Sequence, residues 1–248
     1  TQLQAGALDV ELTARGHDVV VAVAHRHSRP DTGAAVDAML AADVDRVVML
    51  PLFPQHSDST TGSSEAELRR TLDARDVDLP LTVIRSWCRH PSYLAAQTRL
   101  VDEMLAKVPD QRLNAALLVF SAHGLPQRIV DRGDPYPDEV MATVAGVVSR
   151  LQRPVDHVIA YQSRTGPIRW VGPDVDEVIA TAASDSRTWL GVVPISFVSD
   201  HVETLYEIDI EMKEHAAVVG IGDFHRSRCL GTDPIVGPML ADIVQEQL

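Results

Sequence analysis

The stretch Asn114-Ala115-Ala116-Leu117-Leu118-Val119-Phe120-Ser121-Ala122-His123-Gly124-Leu125-Pro126 reads as a buried parallel strand running into a Gly-Pro turn. His123 then stands at the carboxyl end of the strand, where open α/β sheets place their ligands. An imidazole there can act as a base or a metal ligand near neutral pH. A lone histidine at a strand end is by default structural, so the surrounding sequence has to supply any chemistry.

Outward from that strand, β-branched runs alternate with helical patterns. Strands are expected at 18–24, 46–50, 81–84, 156–161, 188–193 and 216–220. Helices are expected at 33–42, 63–73, 93–106, 138–150, 175–183, 200–214 and 234–247. Such alternation argues for parallel sheets covered on both faces. A boundary is expected near 87–93, dividing the chain into 1–90 and 91–248, with the last helix free to cross back.

Composition narrows the function classes. The 248 residues suffice for two cores, and 45% hydrophobic content is ordinary for a globular chain. Lys and Arg number 22 against 35 Asp and Glu, a net charge of −13, with no long basic run, so nucleic acid is not an expected partner. No apolar run reaches the roughly 18 residues of a membrane-spanning helix. Residues 1–5 carry neither a basic nor an apolar leader pattern. Two cysteines, Cys88 and Cys229, make no disulfide framework, which fits a reducing, cytoplasmic setting.

A second constellation, Val193-Pro194-Ile195-Ser196-Phe197-Val198-Ser199-Asp200-His201-Val202-Glu203, again follows a strand and opens a helix. Glu203, Glu207 and Glu211 recur every fourth residue, stacking carboxylates along one helical stripe. An exposed acidic face is the bland alternative, but Glu203 lies within a turn of an apolar strand end. A third stretch, 50–64, carries a Ser/Thr/Gly loop that includes Ser57 and precedes a helix. That loop suits capping or anion binding and lacks the Gly-Lys-Ser/Thr of a nucleotide loop. In a fourth, 161–173, Trp170 sits among Gly and Pro, as a core plug or the wall of a flat pocket.

Taken together, LPLFPQHSDSTTGSS, FSAHGLPQRIVDRGDPYPDE, YQSRTGPIRWVGPDVDEVI and VPISFVSDHVETLYEID resemble the ferrochelatases in order and spacing across essentially the whole chain. Those enzymes insert ferrous iron into a porphyrin late in haem synthesis. The resemblance implies an α/β architecture of two similar doubly wound parallel-sheet halves facing a cleft, a chelatase fold of periplasmic-binding-like type. It implies that His123 and Glu203 are catalytic. It implies that His123, Glu203, Glu207 and Glu211 handle the metal. Arg26, His27, Ser57, Trp170 and His201 are the implied substrate-binding set. Ferrous iron would be a substrate and no cofactor is required. Asp58 stands where some relatives place an iron–sulfur ligand, so no cluster is expected. Protoporphyrin is favoured over coproporphyrin on the look of the 53–62 loop. Peripheral membrane association and oligomeric state stay open.

Two rivals remain: a chelatase for sirohydrochlorin or a cobalt precursor, and a porphyrin- or metal-binding protein without catalysis. Family members also begin with a strand, a Gly-Pro-type loop and a lid segment that have no counterpart here. The expectation is therefore a fragment or a divergent short form, with an incomplete first sheet.

Overall fold

The computed structural model describes residues 1–248 and divides into two units, Thr1–Ser92 with Gly231–Leu248, and Tyr93–Leu230. In chain order the first elements are α1 (Gln2–Ala14), α2 (Thr32–Ala41), β1 (Val47–Met49), a π-turn (Asp58–Gly62), α3 (Ser63–Asp73) and β2 (Leu81–Val83). Then come α4 (Pro91–Leu105), β3 (Ala116–His123), α5 (Gln127–Val130), α6 (Tyr136–Val148), β4 (Asp156–Gln162) and α7 (Val175–Ser184). The chain ends with β5 (Trp189–Pro194), a π-helix (Glu203–Met212), α8 (Lys213–Val218), β6 (Asp223–Arg226) and α9 (Val236–Gln245). No helix is long and apolar enough to cross a membrane.

In the first unit β1 and β2 run parallel, Val47 opposite Leu81, over a core of Val36, Val47, Leu68 and Leu72. The last helix returns to this unit and packs on α1, where Arg15 reaches Asp242 at 2.7 Å. Residues 18–24, expected as a strand, join no ladder. β1 pairs only with β2, and a β-branched run becomes a strand only when a neighbour takes its N–H and C=O groups.

The second unit carries a four-stranded, fully parallel sheet in the order β4-β3-β5-β6. The chain winds outward from β3 to β4, then crosses back to add β5 on the other side of β3. The carboxyl ends of β3 and β5 therefore flank a topological switch point, the usual place for a ligand in such sheets. One face of the sheet buries Val119, Leu190 and Val192 against Ile179 of α7, Ile208 and Met212 of the π-helix and Ala216 of α8. Alternation turns the intervening residues to the other face, where Gly191 meets Trp189 and Met104 of α4. Gly146 of α6 abuts Leu94 of α4, completing that layer.

Two expectations near the C-terminus are corrected. The 216–220 run is helix, not strand: α8 continues to Val218 and Gly220, at φ 95°, ends it. The strand comes later, at Asp223–Arg226. The helix expected at 200–214 forms from Val202 onward, but the ten residues Glu203–Met212 are π-helical rather than α-helical.

Gly191 is required by close approach. A Cβ there would sit 2.6 Å from the ring of Trp189 and 2.8 Å from Cε of Met104. Gly191→Ala should destabilise the chain by roughly 1–3 kcal/mol through overpacking. Its denaturant midpoint, compared with wild type, checks this.

Candidate active site

His123 is the last residue of β3 and Glu203 the first of the π-helix that follows β5. The neighbouring ladder fixes both ends. His123 lies in register with Gln162 of β4, and its N–H donates to Oγ of Ser196 just beyond β5 at 3.0 Å. The Ile195 N–H reaches the Ser121 carbonyl at 3.0 Å, and the Tyr93 hydroxyl donates to the Ile195 carbonyl at 3.0 Å. The turn after His123 needs glycine: a Cβ at Gly124 would lie 2.8 Å from the Gln162 carbonyl oxygen, which accepts the Gly124 N–H.

Held this way, His123 Nδ1 and Glu203 Oε2 lie 2.6 Å apart. The imidazole side chain is 43% exposed and the carboxylate 26%. The Glu203 hydrogen bond holds the imidazole above its ordinary value of 6.5 against the pull of burial, and the charges of Glu203 and Glu207 add to it. Burial alone would lower the value. Two adjacent carboxylates overrule it. Burial pushes the Glu203 carboxyl up, yet the hydrogen bond and charge of His123, the Ser163 hydroxyl and the nearby His201 bring it below its ordinary value. With Nδ1–H donated to Glu203, neutral His123 carries its lone pair on Nε2, so the ring is an oriented base.

The next carboxylate is tied to the first. Ser163 Oγ lies 2.8 Å from Glu203 Oε2 and 2.7 Å from Glu207 Oε2. Gln162 Nε2 donates to Glu207 Oε2 at 2.9 Å and to the Glu203 carbonyl at 2.9 Å, while its own Oε1 accepts from Ser121 at 2.7 Å. Ser163 holds a left-handed φ of 61°, an unusual conformation for a side chain of this type and common at functional sites. Glu211 lies further along the helix and is exposed. The α-helical rise would separate it from Glu203 by about 12 Å. The i→i+5 helix is wider and shorter per residue, so the separation is less. No three His, Cys, Asp or Glu side chains converge to hold a metal ion.

The other expected residues divide between the units. His201 is exposed; its Nδ1 accepts the Glu203 N–H at 3.0 Å, and its ring meets Phe197 edge-on at 5.0 Å. Phe197 in turn meets His123 at 6.5 Å. Trp170 is half-buried and bridges Pro126 in the turn beyond His123. Its buried indole Nε1 has no hydrogen-bond partner. Arg26, His27 and Ser57 belong to the first unit. Arg26 and His27 are exposed, and Arg26 lies 3.7 Å from Glu67 at a cavity of about 550 Å³. Ser57 is only 1% exposed and its Oγ accepts the Ser59 N–H at 3.1 Å. That geometry is a buried cap on the π-turn, the structural reading of the Ser/Thr loop.

Gln162, Ser163 and Ser196 were not singled out in the sequence. The signal that found His123, a polar residue at the carboxyl end of a buried strand, applies equally to Gln162 at the end of β4.

The family model described as Ferrochelatase matches residues 1–248. The chain is 40% identical over 245 residues to a ferrochelatase of Geotalea daltonii, covering 99% of this chain and 75% of that one. It is 42% identical over 255 residues to a ferrochelatase of Synechococcus sp. (strain CC9311), covering 100% and 65%. With the ferrochelatase of Synechocystis sp. the figures are 40% over 251 residues, 100% and 64%. The chain thus spans between about two thirds and three quarters of the relatives it matches. Among solved structures, SirB from Bacillus subtilis with Fe3+ aligns with a TM-score of 0.67 at 14% identity, over 99% of this chain and 88% of that one. CbiX, the terminal enzyme of sirohaem biosynthesis in denitrifying bacteria, aligns at 0.63 and 16%, over 99% and 89%. At such identities these likenesses show a shared chelatase fold.

The electrostatics of the dyad predict a pH response. The raised imidazole stabilises the fold below its unfolded value of 6.5, and this is lost as pH rises through the folded value. The depressed carboxyl stabilises it above its ordinary value of 4.5, and this is lost as pH falls through the folded value. The pair therefore contributes most between those limits. Glu203→Gln should move the His123 titration midpoint downward, because desolvation then acts against fewer opposing charges. Ring resonances followed by NMR report the midpoint directly, and an unchanged value would show that Glu203 does not set it.

Proposed function

The chain belongs to the ferrochelatase family, and on that premise we propose that it inserts ferrous iron into a porphyrin, with His123 as the proton acceptor and Glu203 as its partner. A free porphyrin carries two pyrrole N–H groups, so insertion must remove both protons and strip water from the ion. A planar ring presents its nitrogen lone pairs poorly, and binding it puckered moves it towards the transition state. His123 Nε2 takes one pyrrole proton while the Glu203 carboxylate stabilises the imidazolium that forms, and the ring passes that proton to water before it takes the second. The observation that carries this reading is the 2.6 Å dyad at the switch point of the second sheet.

Glu207 and Glu211 continue from Glu203 towards the exposed part of the helix, which suits them to gathering the cation and passing it inward. Carboxylate and imidazole bind ferrous iron without the tenacity of thiolates and can release it to the macrocycle. Trp170 and His201, near the dyad, suit contact with the flat ring, and Arg26 and His27 keep a substrate-binding role on the resemblance alone. Ser57, committed to its cap, is left out of that set. Protoporphyrin is the favoured substrate, on the resemblance of the 53–62 loop, and no resident cofactor enters the reading.

The porphyrin spectrum on anaerobic incubation with ferrous ion, or with zinc, tests the reaction. His123→Ala should cost roughly 10²–10⁴-fold in rate, the usual value of a positioned acid or base. Undiminished turnover would remove His123 from the mechanism. Parallel assays with protoporphyrin, coproporphyrin and sirohydrochlorin fix the macrocycle. If the stripe supplies metal, Glu211→Gln should raise the Michaelis constant for the ion more than it lowers the maximal rate, and Glu203→Gln should do the reverse. A wild-type metal saturation curve in Glu211→Gln would confine the path to the inner residues.

A further inference from the structure

Arg226 ends β6, opposite Val192 of β5, and its side chain is 13% exposed. The guanidinium forks onto Asp209, Nε to Oδ1 at 2.7 Å and Nη2 to Oδ2 at 2.9 Å. Its Nη1 donates to Oδ1 of Asp200 at 2.8 Å. That same oxygen accepts from Thr204 Oγ1 at 3.0 Å, and Thr204 Oγ1 accepts the His201 N–H at 3.0 Å. One cation on the sheet thus grips the chain on both sides of Glu203, before it at Asp200 and after it at Asp209. None of its hydrogen bonds reaches His123, Glu203 or Glu207.

The grip matters because of the helix it holds. π-helical geometry is rare and occurs mostly as single-turn bulges, yet here it runs from Glu203 to Met212. Buried apolar contacts through Ile208 and Met212 fix its distance from the sheet, but they are non-directional and leave rotation and sliding soft. A planar, bidentate guanidinium contact is directional and restrains both. The register of the helix against β5 and β6 is what sets Glu203 Oε2 against His123 and Glu207 Oε2 against Ser163.

We propose that Arg226 is a positioning residue of the metal-insertion site, fixing the π-helix so that Glu203 meets His123. This rests on the reading of His123 and Glu203 as the chemical pair. Arg226→Lys keeps the charge but cannot fork. In the full chain it should lower the maximal metallation rate by roughly 10- to 100-fold, the usual cost of losing a group that orients a metal-handling carboxylate. The Michaelis constant for porphyrin should stay unchanged. Combined with Glu203→Gln it should cost little more than Glu203→Gln alone, since a residue that acts through Glu203 has nothing left to orient. Amide exchange over residues 203–212 should accelerate. Asp209→Asn, which keeps Arg226 and its Asp200 bond, should show the same pattern at smaller amplitude and decides the matter if Arg226→Lys fails to fold. Wild-type turnover per folded molecule in Arg226→Lys, or a loss that adds in full to that of Glu203→Gln, would overturn the proposal. Should the wild-type chain metallate no porphyrin, the functional reading falls, and unchanged exchange over 203–212 would still overturn the placement of Arg226.

Discussion

His123 and Glu203 can share a 2.6 Å hydrogen bond only because β3 and β5 are adjacent parallel strands whose carboxyl ends finish side by side. Parallel strands need a crossover between them, and here the crossover carries β4 and three helices, α5 to α7, before the chain returns. The sheet order therefore brings together two residues far apart in sequence, and the hydrogen bonds of its ladder make their separation reproducible. The remaining site groups follow from the same ladder. Gln162 and Ser163 close β4 beside His123, Ser196 follows β5, and Arg226 ends β6. A change that shifted β3 against β5 would move all of them at once.

The charge arrangement opposes stability locally. Glu203 and Glu207 face the same hydroxyl, and like charges at that spacing on a helix repel. Donors contributed by the sheet offset the repulsion: the His123 ring, the Ser163 hydroxyl and the Gln162 amide. Ser163 reaches both carboxylates from a backbone at φ 61°, a conformation that costs on the order of 1–3 kcal/mol for a residue with a Cβ. The strain falls where one hydroxyl has two carboxylates within reach, and strained residues cluster at functional sites.

Much of this was legible in the sequence. The strand leading to His123, the helix opening at Glu203 and the parallel alternation follow from apolar periodicity and strand-end chemistry, which are local. What was not legible depends on partners distant in the chain. The 18–24 run has every intrinsic mark of a strand and forms none, because pairing is a property of two segments. The 216–220 run looked apolar enough for a strand, but Ala216 is buried as the end of a helix packed on the sheet. Glutamates spaced four apart read naturally as α-helical, and nothing local distinguishes a π-helix held by a guanidinium from a neighbouring strand. Ser163 was passed over because a left-handed serine has no sequence mark. The sign of the imidazole shift is not legible for a related reason: burial can be guessed from an apolar run, whereas the number of carboxylates within reach cannot.

The hydrogen bonds also say how these carboxylates can treat a metal ion. Oε2 of Glu203 is engaged by His123 and Ser163, and Oε2 of Glu207 by Ser163 and Gln162. Each carboxylate therefore has Oε2 committed to the protein, and under the proposed function Oε1 is the oxygen that would meet a cation. Single-oxygen ligation from two carboxylates is weak beside a closed cage, and an ion held that way retains part of its water. Weak, partly hydrated binding is what a site needs when its task is to hand the ion on, since every contact made to the cation must be broken when the macrocycle takes it. The same commitment separates the two tasks. On the proposed reading, Glu203 would steady an imidazolium through Oε2 and meet the cation through Oε1, so proton acceptance and metal delivery would not compete for one atom.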